Sequence, residues 1–165
     1  MPLNRFRRRG AGRLEGILLA ESAGAPMEAV SQGEAVAGGL AGDRYAAGRG
    51  YWRATDACEV TLIRVEDLNR IHRRTGLGVL AGEHRRNLVV RGLGRRDLEA
   101  WGLRIGEAVF SVQGPRPPCG YLETLTGPGM ARALRGRSGI CLRVAEPAGL
   151  AVGDAVVPLK SPPAE

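Results

Sequence analysis

"GLRIGEAV" at residues 102–109 and "GLAVGDAV" at residues 149–156 fit one pattern, G-L-x-[Ile/Val]-G-[Glu/Asp]-A-V. The second glycine of each, Gly106 and Gly153, supplies a turn at positive φ, and the neighbouring acid can accept a turn hydrogen bond. The apolar residues on either side then end one strand and begin the next. We read the echo as turn chemistry met twice rather than as a duplication. Short strands joined by glycine turns point to a barrel or a sandwich.

Working outward, the same signature recurs. "LEGILLAES" (14–22) is an apolar run bounded by glycines, and "GAPMEAV" (24–30) follows as a turn and a short extended piece. "CEVTLIRVE" (58–66), "RRNLVVRG" (85–92), "EAVFSVQG" (107–114), "GICLRVAEPAG" (139–149) and "DAVVPL" (154–159) read as further strands. Val65, Leu68 and Ile71 recur at helical spacing with Gly76 as a stop, and a second short helix is expected around Met130–Leu134. The glycine-rich stretch 34–52 is expected to be a long functional loop. The fold class that results is mainly β and barrel-like, with short helical insertions. The expected organisation is a basic flexible arm (1–13), a barrel domain (14–158) and a flexible tail (159–165).

The 165 residues suit one core. The formal net charge is +7, and Lys160 is the only lysine. Five arginines, Arg5, Arg7, Arg8, Arg9 and Arg13, lie in the arm, which could touch any polyanion non-specifically. The single lysine excludes a P-loop, and a Schiff base is not expected from Lys160 in a tail. Pyridoxal phosphate, if involved, would belong to a partner. No apolar run reaches the length of a membrane span, and no secretory signal pattern opens the chain. Cys58, Cys119 and Cys141 are odd in number and far apart, which suits a reducing compartment and no disulfide framework. A cytoplasmic location is the expectation.

One thiol stands out. In "GPRPPCGYLE" (114–123), Pro115, Pro117 and Pro118 stiffen the approach to Cys119, and Arg116 lies three residues before it. A nearby guanidinium favours a thiolate, which can act as a nucleophile, a persulfide carrier or a soft-metal ligand. Cys58 and Cys141 read as structural. Arg85, Arg86 and Asn87, at the mouth of a strand, make a plausible clamp for phosphate and a heterocycle. Asp43 and Arg44 sit at the bend of "GLAGDRY" (39–45). His84 could donate a proton, although a capping role is the commoner one, and His72 reads as structural.

Taken in order, "EGILLAESAGAPMEAV", "GGLAGDRY", "VTLIRVEDL", "RRNLVVRGLGRRDLEAWGLRIGEAVFSV", "PRPPCGYLE", "GRSGICLRV" and "GLAVGDAV" resemble a MOSC domain, the module named for the C-terminal part of molybdenum cofactor sulfurase. The resemblance spans about residues 14 to 158 and implies a mainly β barrel whose characteristic cysteine is Cys119. It implies that Cys119 ligates molybdenum in a pterin cofactor or carries sulfur. Arg85, Arg86 and Asn87 would then lie near the cofactor's phosphate and pterin, with Asp43 and Arg44 matching the other shared motif. Stand-alone bacterial relatives include reductases of N-hydroxylated bases and amidoximes. Two features depart from the family pattern: "RPP" precedes the cysteine, and the additional N-terminal β domain of larger amidoxime-reducing relatives is not expected from the residues ahead of position 14. No flavin, haem or iron–sulfur motif is present, so a reductase role implies an external electron donor acting on a small-molecule substrate. The alternatives are a sulfur carrier loaded by a pyridoxal-phosphate-dependent desulfurase, and a basic barrel that binds nucleic acid. Seven aromatic residues (three Tyr, two Phe, two Trp) provide poorly for base stacking, so specific nucleic-acid binding is not expected.

Overall fold

The computed structural model describes residues 12–51 and 58–164. Eleven strands and three α-helices are found among them. The strands are β1 (Gly12–Leu19), β2 (Glu28–Val30), β3 (Gln32–Val36), β4 (Gly39–Leu40), β5 (Val60–Arg64), β6 (Leu88–Arg91), β7 (Gly102–Ile105), β8 (Ala108–Pro115), β9 (Ile140–Glu146), β10 (Ala148–Ala151) and β11 (Ala155–Pro158). The helices are α1 (Val65–Thr75), α2 (Gly120–Thr126) and α3 (Met130–Leu134).

Seven strands close a ring in the order β11-β7-β8-β9-β5-β6-β1, sealed where β1 pairs antiparallel with β11 through Gly12↔Val156 and Arg13↔Ala155. β2 adds to β1 at the edge, and β10, β3 and β4 form a second small sheet. The ring is antiparallel except at β5–β6. A parallel neighbour demands a crossover, and α1 lies in that connection. Its ends follow local rules: Glu66 and Asp67 occupy the first turn, His72, Arg73 and Arg74 the last, and Gly76 caps the end at φ 71°.

The two echoed turns meet in space. β7 pairs with β11 through Ile105↔Val156, and the Gly106 N–H donates to the Ala155 carbonyl at 3.1 Å. Gly106 has φ 59° and Gly153 φ 100°. The Asp154 carboxylate accepts from Ala151 N at 2.9 Å and lies where a Cβ on Gly106 would stand. Side chains from the ring, among them Leu14, Leu62, Leu103, Phe110 and Leu142, fill the barrel. A second apolar cluster outside it joins Ile63, Leu68, Ile71, Leu122, Met130 and Leu134 beneath the helices.

Four expectations are corrected. The glycine-rich stretch 34–52 is not one loop: β3 and β4 pair through Ala35↔Leu40 across a turn at residues 37–38, and the longer run of turns follows residue 40. The run after Cys119 forms α2, which proline and glycine neighbours had hidden. The strand expected over 139–149 breaks into β9 and β10, which belong to different sheets. Cys58 and Cys141, read as separate structural thiols, are joined by a disulfide with Cα atoms 4.9 Å apart. They are 83 residues apart in sequence, and the β5–β9 pairing draws them together. The cysteine pattern therefore no longer argues for a reducing compartment. Of the arm, residues 1–11 lie outside the described residues, while Gly12 and Arg13 belong to β1. Among the described residues, no helix is long and apolar enough to cross a membrane.

Candidate functional site

Cys119 is the residue before α2, with extended backbone (φ −130°, ψ 163°) and a half-buried side chain. It borders a small cavity of about 40 Å³ whose wall also carries Arg44, Arg85, Arg86, Arg116 and Tyr45. Three of the sequence's candidate arginines and its candidate cysteine thus come together in space.

Each arginine is held differently. The Arg86 guanidinium is buried, and its Nε and Nη2 donate to the Ser138 carbonyl (2.7 Å) and hydroxyl (2.6 Å). Burial, followed by repulsion from Arg116, pushes it down to about 10, while Tyr45 and Cys119 act in the opposite direction. It still carries its charge at neutral pH. Arg44 donates to the Asp43 carboxylate at 3.1 Å and stacks on the Tyr45 ring at 4.6 Å. Arg85 has a left-handed backbone, φ 59°, which a bulky residue rarely adopts. Its Nη1 donates to the Ala25 carbonyl at 2.7 Å, and its buried Nη2 has no hydrogen-bond partner among the described residues. Burial, then the Arg44 charge, lowers its proton affinity. Arg116 contacts the Tyr45 hydroxyl at 3.4 Å and the Cys141 sulfur at 3.9 Å.

The Cys119 approach is anchored by the residue just before β9. The Arg116 N–H donates to the Gly139 carbonyl at 2.9 Å. Gly139 itself has φ 84°, and a Cβ there would collide with the Leu62 carbonyl. Tyr51 and Tyr121 stack at 3.9 Å between centroids and both border the cavity. The sequence signal for Tyr121 was its place two residues after Cys119. Nothing local marked Tyr51 or Ser138.

Two candidates face elsewhere. Asn87 is fully buried and outside the cavity wall: its amide accepts from Thr61 N and Oγ1 (3.1 Å each) and donates to the Leu18 carbonyl at 3.1 Å. It ties β6 to β5 and β1. The Asp43 carboxylate accepts from Ala20 N, Tyr45 N and Arg44, so it organises the bend and positions Arg44. His84 is also buried. Its Nδ1 accepts from Arg86 N at 2.9 Å, and burial, with the Arg86 charge adding to it, pushes the imidazole down to about 3. Its Nδ1 caps the Arg86 N–H, and burial keeps the ring neutral at physiological pH.

Residues 50–157 match the MOSC domain family model, a span that runs from the edge of this cavity through Cys119 to the closing strand. The chain belongs to the MOSC family. Its fold is similar to the YuaD protein of Bacillus subtilis (TM-score 0.69, 18% identity, 88% of this chain and 94% of that one). It is also similar to YiiM from Geobacillus stearothermophilus (0.69, 17%, 90% and 75%) and YiiM from Escherichia coli (0.68, 19%, 90% and 70%). No curated protein sequence matches it. At such identities the structural likeness carries the barrel and no more.

Proposed function

We propose that this MOSC protein binds a molybdenum cofactor with Cys119 as the metal ligand, and that it acts as an oxidoreductase on N-hydroxylated or related small molecules. The observation that carries this reading is the convergence of Arg44, Arg85, Arg86 and Arg116 on one half-buried thiol, with the enclosed Arg85 Nη2 lacking an acceptor. An unpaired, buried guanidinium nitrogen costs energy unless an anion meets it. The donor chemistry fits: a soft thiol suits molybdenum and guanidiniums suit phosphate or oxo groups. Among the described residues no group of three or more His, Cys, Asp or Glu could hold a metal ion, so Cys119 would be the single protein ligand and the pterin would bring the rest. When bound, the cofactor would supply the two-electron chemistry; the protein would supply binding and electrostatics. Arg86, locked on Ser138, fixes positive charge beside the sulfur. Arg85 offers its free Nη2 to an oxygen, and the tyrosine pair limits access of water. Electrons would come from an external donor.

The cavity size favours a second reading. About 40 Å³ admits a group the size of a small anion, not a whole pterin, while Tyr51 and Tyr121 remain stacked. Sulfur carriage needs no more room than this. The Cys119 thiolate would attack the outer sulfur of a persulfide on a pyridoxal-phosphate-dependent desulfurase. The new S–S bond forms as the partner's breaks, and the partner leaves as a thiolate.

Expression in a host that makes the cofactor, followed by metal mass spectrometry, separates the two. Near-stoichiometric molybdenum that disappears in Cys119→Ser is the expected result. Persulfide trapped on Cys119 without molybdenum moves the assignment to sulfur carriage. Equal behaviour of Cys119→Ser and the wild type in both assays overturns both.

A further inference from the structure

A second basic cavity lies between α1 and α3, away from Cys119. It measures about 520 Å³ and is walled by Arg70, Arg74, Arg132, Arg135 and Arg137, with no carboxylate among its lining residues. Its floor is apolar, formed by Ile71, Leu77 and Ala133. The acids that approach are already engaged. Asp67 accepts from Arg64 and from Arg137, and the Glu123 carboxylate accepts from the Gly129 N–H at the rim. Arg70 lines the cavity, and its Nε is enclosed and has no hydrogen-bond partner among the described residues. Repulsion from Arg137, then Arg74, followed by desolvation and the charges of Arg73 and Arg95, lowers the proton affinity of Arg70.

We propose that this cavity binds a small molecule bearing two or more linked phosphates. Planar guanidiniums engage phosphate oxygens in pairs, and five of them on one wall exceed what a single carboxylate could neutralise. The volume is that of a small-molecule site. The concave shape and apolar floor distinguish it from a flat polyanion track. The site is independent of the Cys119 reading, since the two cavities share no lining residue.

Calorimetry and thermal unfolding with inorganic triphosphate, at low and moderate salt, test the proposal. Wild-type protein should bind triphosphate, with unfolding moved to higher temperature. Inorganic monophosphate should bind at least about tenfold more weakly, as fewer charge-assisted bonds form. Arg70→Gln/Arg132→Gln should weaken triphosphate binding by about tenfold or more, as two of the charge-assisted pairings are lost. Arg132→Glu, at an exposed position, repeats the test should the double variant fold poorly. Cys119→Ser and Arg85→Gln should bind triphosphate as the wild type does. Absence of binding, an unchanged affinity in Arg132→Glu, or loss through Arg85→Gln instead overturns the proposal. So does binding of a single-stranded oligonucleotide with none of triphosphate.

Discussion

The protein carries two groups of arginines, and they are organised on opposite lines. Around Cys119, Arg44 and Arg86 are almost fully buried, and Arg44, Arg85 and Arg86 each donate to a fixed carboxylate, carbonyl or hydroxyl. Between α1 and α3, most of the arginines are exposed and crowd one another, and among the described residues Asp67 on Arg137 is the carboxylate that joins them. Burial explains the difference. A guanidinium taken out of water must be paired, whereas one that reaches solvent tolerates like-charged neighbours. Replacing members of the first group should therefore cost stability, and replacing members of the second should not.

The largest effect is expected where the two organisations touch. Asp67 accepts from Arg64 Nε and Nη2 at 2.8 and 2.9 Å and from Arg137 at 2.9 Å. Burial alone would raise its carboxyl, but the hydrogen bonds and charges of Arg64 and Arg137 outweigh it and hold the group below the usual range. Asp67→Asn leaves buried Arg64 without its counter-charge and should cost about 3 kcal/mol in denaturant unfolding. A loss below a few tenths would show that this ion triad is ornamental.

Arg86→Met comes next. It removes a buried charge but orphans the Ser138 carbonyl and hydroxyl, and about 2 kcal/mol of destabilisation is expected. A neutral or stabilising result would mean that burial of the cation already outweighs its bonds, which would break the comparison.

Stability also depends on pH through His84. His84 binds its proton near 6.5 when unfolded and only near 3 when folded. Its folded value is depressed, so its contribution is complete above about pH 6.5 and is lost as the pH falls. Stability should drop by about 1.4 kcal/mol per pH unit between pH 6 and 4 on this account. Asp67 adds to the loss only below its unfolded value of 3.8. His84→Gln should flatten the slope; an unchanged slope in that variant would remove His84 as its source.

The smallest effect is expected at Arg74. Arg74→Gln relieves repulsion among the arginines but gives up a favourable charge in the last turn of α1, so the unfolding temperature should stay nearly unchanged at any salt. A clear decrease would mean that the flank arginines are paired after all.

Some of this was readable along the chain. Gly76 stops α1, and Gly106 and Gly153 turn the echoed segments, because each acts on its immediate neighbours through φ. Cys119 and the Arg85–Arg86 pair were visible as residues, and the ordered motifs carried the family. Asn87 was visible too, but its work in tying β5, β6 and β1 was not, since its partners Thr61 and Leu18 lie on other strands. The Cys58–Cys141 bridge and the β3–β4 pairing escaped for the same reason.

The sequence alone set the strand-and-turn grammar, the rigid thiol and an arginine excess, because these depend on residues within a few positions of one another. Only the folded chain decided which arginines find fixed hydrogen-bond acceptors. Arg86 meets Ser138 across 52 positions, Arg85 meets Ala25 across 60 and Arg116 meets Tyr45 across 71. Hydrogen bonding between distant positions is a through-space property, and closure of the barrel is what sets those distances.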